Sequence, residues 1–198
     1  MLTKPPEKQI RAFYTPEFIR VYQAYGDAIV KDIEKNGTFS PPSFSLTRMT
    51  WIKPSFCWMM YRSGWGYKDA KQNNILAIDI THEGFLWCLQ HAMLSKQHPN
   101  LSAEEFAKLK EHSPVVIQWD PERDIQLNKL DYRSIQIGIK NEAVEKYVNE
   151  WIVNITNITS ECQHIKALVD KGEIERAKLL LPDEQIYPIN QYDYPYLF

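Results

Sequence analysis

The chain has 198 residues, of which 44% are hydrophobic, 24% charged and 13% aromatic, and its net charge is -2. These proportions describe one globular domain with enough chain for a real core, residues 1–198, with its core over about 10–181. The charge excludes a global attraction to nucleic acid or to an anionic membrane, so such binding would need a local basic patch. No apolar run reaches membrane-spanning length, so no membrane partner is expected.

Ile10 to Tyr14 reads as a first strand. Thr15 caps a predicted helix with Pro16 in its first position, and Phe18, Tyr22, Tyr25, Ile29 and Ile33 recur at helical spacing up to Asn36-Gly37. Leu46 to Ile52 alternates and reads as a strand, followed by a short helix opened by Pro54 and closed by Ser63-Gly64. Asn74 to Ile80 is a strand, and Thr81 caps a helix running to about Leu94. Ser102 to Glu105 is a capping box. Val115 to Trp119 is a strand that breaks at the turn signal Asp120-Pro121, and Arg133 to Ile139 is another strand. Glu142 to about Val169 reads as helical with an interruption near Thr156 to Thr159. Ile174 to Leu181 is a last helix, and 182–198 is an irregular tail. Strands and helices without strict alternation predict an α+β domain with a mixed or antiparallel central sheet flanked by helices.

The densest chemistry lies between Thr47 and Trp65, which holds three of the six tryptophans together with Arg48, Lys53 and Arg62. Large aromatics mixed with fixed cations suit a concave site that stacks a ring and holds an anion. In the strand reading, Arg48 and Thr50 share a face. Lys53 follows at the strand end, and Ser55 lies where a helix N-terminus would attract a phosphate. The competing reading makes Arg48 a structural ion pair and Trp51, Trp58, Met59 and Met60 core. Trp65 either stacks on a base or covers the core edge.

A second cluster, Gln118 to Asp124, reads as a solvated turn or as the source of a carboxylate, Glu122 or Asp120, for general-base work. The five histidines lack metal-ligand spacing, so no metal is expected. No dinucleotide fingerprint, phosphate loop or nucleophile elbow is present. The three cysteines are odd in number and far apart, which fits reduced thiols. Met1 to Ile10 has no signal-peptide core, and the expected location is cytoplasmic.

The blocks Ile10 to Ala12, Val21 to Tyr25, Arg48 to Trp65, Gln118 to Asp124 and Arg133 to Gly138 together resemble the bacterial and fungal family called domain of unknown function 4291. The resemblance covers essentially the whole chain and implies a single soluble intracellular domain, without an activity. A more distant likeness is to NAD-using ADP-ribosyltransferases, including DNA-modifying toxins, and it implies a split sheet. It rests on the first strand with Arg11 and Tyr14, the helix ending at Gly37, the strand carrying Thr50, a short helix and the Ile75 to Ile80 strand. In that superfamily an early-strand Arg or His holds the dinucleotide, a hydroxyl-bearing second strand shapes the nicotinamide pocket and a late Glu orients the reacting ribose. The resemblance implies NAD as cofactor and Arg11 or Arg48, with Thr50 and Ser55, in the first two roles.

The expected function is therefore a nucleotide-binding enzyme that transfers ADP-ribose to a nucleic acid or small acceptor. Glu122 and Arg48 would be catalytic. Arg11, Tyr14, Arg48, Thr50, Trp51, Lys53, Ser55, Arg62 and Trp65 would hold the cofactor. The rival is a non-enzymatic module binding RNA or single-stranded nucleic acid on a Trp/Arg/Lys surface. A structural interaction protein with a tryptophan-rich core is a third reading.

Overall fold

Two largely antiparallel patches of sheet meet at a single bridge. The computed structural model describes residues 7–198, and Met1 to Pro6 of the expected domain lie outside it. One patch has three strands in the order β2 (Ile19–Tyr25), β4 (Asn74–Ile80), β8 (Ile152–Asn157), all antiparallel. The other has four, in the order β3 (Thr50–Ile52), β7 (Lys129–Ile139), β6 (Val115–Arg123), β5 (Ala92–Leu94), with only β5 and β6 parallel. Tyr22 of β2 and Lys53, one residue beyond β3, exchange backbone hydrogen bonds of 2.7 and 3.3 Å, and these join the two patches. A two-stranded ribbon of β1 (Arg11–Ala12) and β9 (Gln185–Ile186) lies apart. Among the described residues, seven α-helices complete the α+β domain: α1 (Asp27–Asn36), α2 (Phe56–Ser63), α3 (His82–Gln90), α4 (Ala103–His112), α5 (Glu142–Lys146), α6 (Thr159–Asp170) and α7 (Ile174–Lys178). No helix among the described residues is long and apolar enough to cross a membrane.

Both faces of β4 are buried, which accounts for its near-continuous apolar run. Leu76, Ile78 and Ile80 join Ile19 and Val21 in the main core with Ile117, Ile135 and Ile137 of the other patch. Ile75 and Ala77 face the opposite way, with Tyr22, against Met59, Met60 and Trp65 and against Cys162, Ile165 and Leu168 of α6.

Local punctuation in the sequence largely matches the structure. Ser55, one residue after the expected opener Pro54, caps α2, and Gly64 ends it in the left-handed region at φ 58°. Thr81 caps α3, and Ser102 and Glu105 form the reciprocal capping box of α4. Gly37 closes α1 at φ 75° by donating to Ile33 O.

Five expectations are corrected. The helix predicted from Thr15 is a turn followed by strand β2, because Ile19, Val21 and Gln23 alternate into the interior and all seven residues of β2 pair with β4. Thr15 Oγ1 receives the Glu17 amide instead of capping a helix. The long helix from Glu142 gives way at a π-helical turn, Tyr147–Trp151, to strand β8, where the β-branched run finds an edge of β4. Helix α3 stops at Gln90, and Ala92–Leu94 pairs with β6. The strand expected over 46–52 is only Thr50–Ile52, so Arg48 does not share a strand face with Thr50. Strand β6 does not break at Asp120-Pro121. It runs to Arg123 through a register shift between Pro121 and Arg123, which tolerates the missing proline N–H and leaves Glu122 as the unpaired residue.

Candidate active site at the head of helix α2

Helix α2 packs against β2 of one patch and β6 of the other, so its N-terminus comes up beside the β6 bulge. Ser55, 1% exposed, works twice there. Its Oγ accepts the Trp58 amide at 3.1 Å as the helix cap and donates to Glu122 Oε1 at 2.8 Å. Glu122 is 4% exposed and also accepts the Arg123 amide at 2.8 Å, and the nearby Ser134 side chain favours its charged form. A bulge bends its strand and re-aims one side chain, and here that side chain is Glu122.

A second carboxylate reaches the same helix end from the far terminus of the chain. Glu184 Oε1 accepts the Phe56 amide at 2.6 Å, and the Glu184 carbonyl accepts Arg11 Nη2 at 3.0 Å. The β1–β9 ribbon creates this meeting by pairing Arg11 with Ile186. Burial lifts both carboxyls above the ordinary range. The Glu122 charge lifts Glu184 further, while Arg11 opposes the rise in both. Glu184 is lifted furthest. Glu184 has one donor, the Phe56 amide, where Glu122 has two, the Ser55 hydroxyl and the Arg123 amide, and fewer donors leave its charged form less favoured. Burial and the same two carboxylates raise the Tyr132 phenol. Burial, then Glu184, Glu122 and Asp124, push the Cys57 thiol up, which keeps it protonated and a poor nucleophile.

About 10 Å along the ribbon from Glu184, at roughly 3.3 Å per extended residue, Tyr187 helps line a cleft. The cleft has a volume of about 340 Å³ and is walled by Tyr14, Thr15, Pro16, His82, Tyr187 and Pro188. His82 holds Tyr187 Oη at 2.8 Å through Nδ1 and the Thr15 carbonyl at 2.8 Å through Nε2, and Tyr14 Oη donates to Ile186 O at 3.3 Å. These polar atoms are spent on the protein, and the Tyr187 ring is itself buried, with His82 stacked on it and Tyr14 edge-on to it. Another cavity, about 320 Å³, lies between α1 and β8 and shares no residue with the acid cluster.

The sequence-predicted residues thus divide. Arg11, Ser55 and Glu122 converge, and Tyr14 lines the neighbouring cleft. Arg48 is exposed outside any strand, where its charge acts on Tyr25. Thr50 is buried in a separate polar network, with Oγ1 bonded to Gln23 Nε2 at 2.8 Å and Tyr25 Oη at 2.7 Å. Trp51 lies over Gly138, where an added Cβ would meet its ring at 3.0 Å. Arg62 is exposed and reaches Gln72, and Trp65 is core against Phe56. Lys53 is 6% exposed, and among the described residues its amine makes a single 3.5 Å contact, to the Trp51 carbonyl. Burial and Arg62 bring its amine down to about 8 against the pull of Asp120. The turn reading of Glu122 is corrected to a bulged strand. Sequence reasoning misses Glu184, Tyr132 and Ser134 as site residues, and a two-residue strand at Gln185 offers no periodicity that would flag Glu184.

A family model described as domain of unknown function, DUF4291, matches residues 9–187. The chain belongs to this family. The matched range of the DUF4291 domain takes in Arg11, the whole of α2, the β6 bulge and Glu184, so the acid cluster lies wholly inside it. Among curated proteins no sequence matches.

Proposed function

We propose that this DUF4291 domain is a nucleotide-binding enzyme that uses NAD to transfer ADP-ribose to a nucleic acid or a small acceptor. The observation that carries the reading is the convergence of Arg11, the Ser55 hydroxyl and Glu122 at one helix end. These are an early-strand cation, a hydroxyl and a late carboxylate, the three chemical roles such a transfer needs. The bridge between two sheet patches at Tyr22 and Lys53 adds support at the level of architecture. With three free thiols, we assign the reaction to the cytoplasm.

The residues fit the cofactor's parts. Arg11 offers a fixed cation for a phosphate, and the cleft walled by Tyr14, Pro16 and His82 offers an apolar surface for a heterocycle. Bound NAD would supply a ribose carbon that already carries a pyridinium leaving group. Transfer breaks the bond from that carbon to the nicotinamide nitrogen, whose electron pair departs with nicotinamide. It makes a bond to an acceptor oxygen or nitrogen, whose proton passes to a carboxylate.

Glu122 stabilises positive charge developing at the sugar, and its bonds from Ser55 and the Arg123 amide hold it in one orientation beforehand. Low local polarity strengthens that attraction and excludes the water that would compete as acceptor. Glu184 keeps the Phe56 amide occupied and anchors Arg11 through its carbonyl, which makes it a positioning residue.

The rival nucleic-acid module needs an exposed aromatic strip. Trp58 and Trp65 are 6% and 4% exposed, and Trp51 is half-buried, so that reading gains no support.

The test is thermal denaturation with NAD, alongside release of nicotinamide. A ligand that binds only the folded state raises the melting temperature by mass action. The expected result is a rise with NAD that Arg11→Ala removes, together with nicotinamide release that Glu122→Gln abolishes. Absence of both the rise and the release overturns the reading.

A further inference from the structure

Two buried donors next to Glu122 have no protein partner. Among the described residues, Trp58 Nε1 and Arg123 Nε are the buried side-chain nitrogens that make no hydrogen bond. They belong to one stack. The Arg123 guanidinium lies 3.7 Å from the centre of the Tyr61 ring and 5.9 Å from that of Trp58, and the two rings stack on each other at 5.1 Å. Arg123 Nη1 is committed to the Leu127 carbonyl at 3.2 Å, and no ion pair of the described residues uses Arg123. The edge left over is Nε with Nη2, the side of the fork that matches two oxygens of a phosphate.

An orphaned buried donor is costly, and two in one stack form a standing demand for an acceptor. Stacking on Tyr61 fixes the guanidinium plane, so the fork is pre-organised. Tyr61 is 40% exposed, so the stack opens to solvent on that side. Trp58 is buried, and its N–H has little water to turn to. The Arg123 guanidinium makes no ion pair among the described residues, and its charge favours an anion over a neutral acceptor.

We propose that Trp58 and Arg123 form a phosphate-binding subsite beside Glu122, in which the Arg123 fork and the Trp58 indole N–H hold phosphate oxygens of the dinucleotide or of the acceptor. The inference rests on the transferase reading only for the source of the phosphate. The subsite itself is defined by donors that the fold leaves unpaired. Arg123 is then doubly employed, since its backbone amide already orients Glu122 and its side chain carries the phosphate.

The experiment follows the indole N–H resonances of the six tryptophans by heteronuclear NMR, with Trp58 assigned from its loss in Trp58→Phe. Inorganic pyrophosphate, NAD and a short single-stranded oligonucleotide are titrated separately. The Trp58 resonance is expected to move with pyrophosphate. Trp58→Phe keeps the stack but loses the donor, and Arg123→Lys keeps the charge but loses the fork. Each is expected to weaken pyrophosphate binding by about tenfold, the scale of a hydrogen bond to a charged group.

Movement with NAD assigns the subsite to the dinucleotide, and movement with the oligonucleotide alone assigns it to the acceptor. If Trp58 stays still with all three ligands, or if both variants bind pyrophosphate like the parent, the proposal is overturned. A melting-temperature rise with NAD that persists in both variants, when both also bind pyrophosphate and the oligonucleotide like the parent, would leave the transferase reading standing while removing this subsite.

Discussion

Ser55 donates to Glu122 across 2.8 Å and in doing so ties the first turn of α2 to the bulge of β6. The same oxygen accepts the Trp58 amide, so one hydroxyl both starts a helix and orients a buried carboxylate. Ser55→Ala removes both bonds. Loss of a cap costs about 1 kcal/mol, and loss of a donor to a buried charged group costs about 1.5–3 kcal/mol. Chemical denaturation should therefore show a fall of about 2–4 kcal/mol. A loss below about 1 kcal/mol would mean that Glu122 does not depend on this bond.

Glu184 should destabilise the domain as pH rises. Its folded pKa lies well above the ordinary carboxylate value, so the folded state holds its proton where the unfolded chain has released it. Stability then falls as pH climbs from the ordinary carboxylate range toward the raised folded value. Glu184→Gln keeps an acceptor for the Phe56 amide and removes the titration. The expected result is a flatter melting-temperature profile above about pH 5 and a higher melting temperature at neutral pH. Parallel profiles for the two proteins would refute the assignment.

Lys53 shows the opposite sign. Its amine titrates at about 8 in the folded chain and near the usual 10.5 when unfolded. The charged amine therefore lowers stability below about pH 8, and the penalty fades as pH rises toward 10.5. Lys53→Met should stabilise the domain at neutral pH by on the order of 2–3 kcal/mol, since a tenfold change in proton affinity corresponds to about 1.4 kcal/mol. The gain should shrink at about pH 10. A gain that does not change with pH would point to packing and not to charge.

Gly84 is a steric checkpoint between α3 and the π-helical turn. A Cβ built on it would overlap the Trp151 ring, which is 5% exposed and cannot swing away freely. Gly84→Ala should cost about 1–3 kcal/mol through overpacking, despite the better helix propensity of alanine. Double substitution with Trp151→Phe should recover part of that loss. Equal stability of Gly84→Ala and the parent by urea denaturation would mean that the two elements move apart at no cost.

Arg11, Ser55 and Glu122 are each legible in the sequence as chemistry-bearing residues, yet their meeting is not. Glu122 reads as part of a turn because Asp120 and Pro121 are turn residues, and only pairing with β7 keeps the strand running past them. Arg48 and Thr50 read as sharing a strand face, but pairing with β7 begins at Thr50. Glu184 sits beside a strand two residues long that pairs with β1, at the opposite end of the chain. No local pattern encodes such a contact.

Where the helices start and stop is written locally, because capping is settled between a side chain and backbone within a few residues. Ser55, Gly64, Thr81, Ser102 and Gly37 all act at that range. The α+β class and the buried strand Asn74–Ile80 are legible at the same level. The choice between helix and strand for Ile19–Tyr25 and Ile152–Asn157 falls to tertiary pairing, since a β-strand is stabilised by partners and not by its own turns. The candidate site is a tertiary product as well. Burial and the crowding of two carboxylates around one arginine arise only when both ends of the chain are brought to the head of α2.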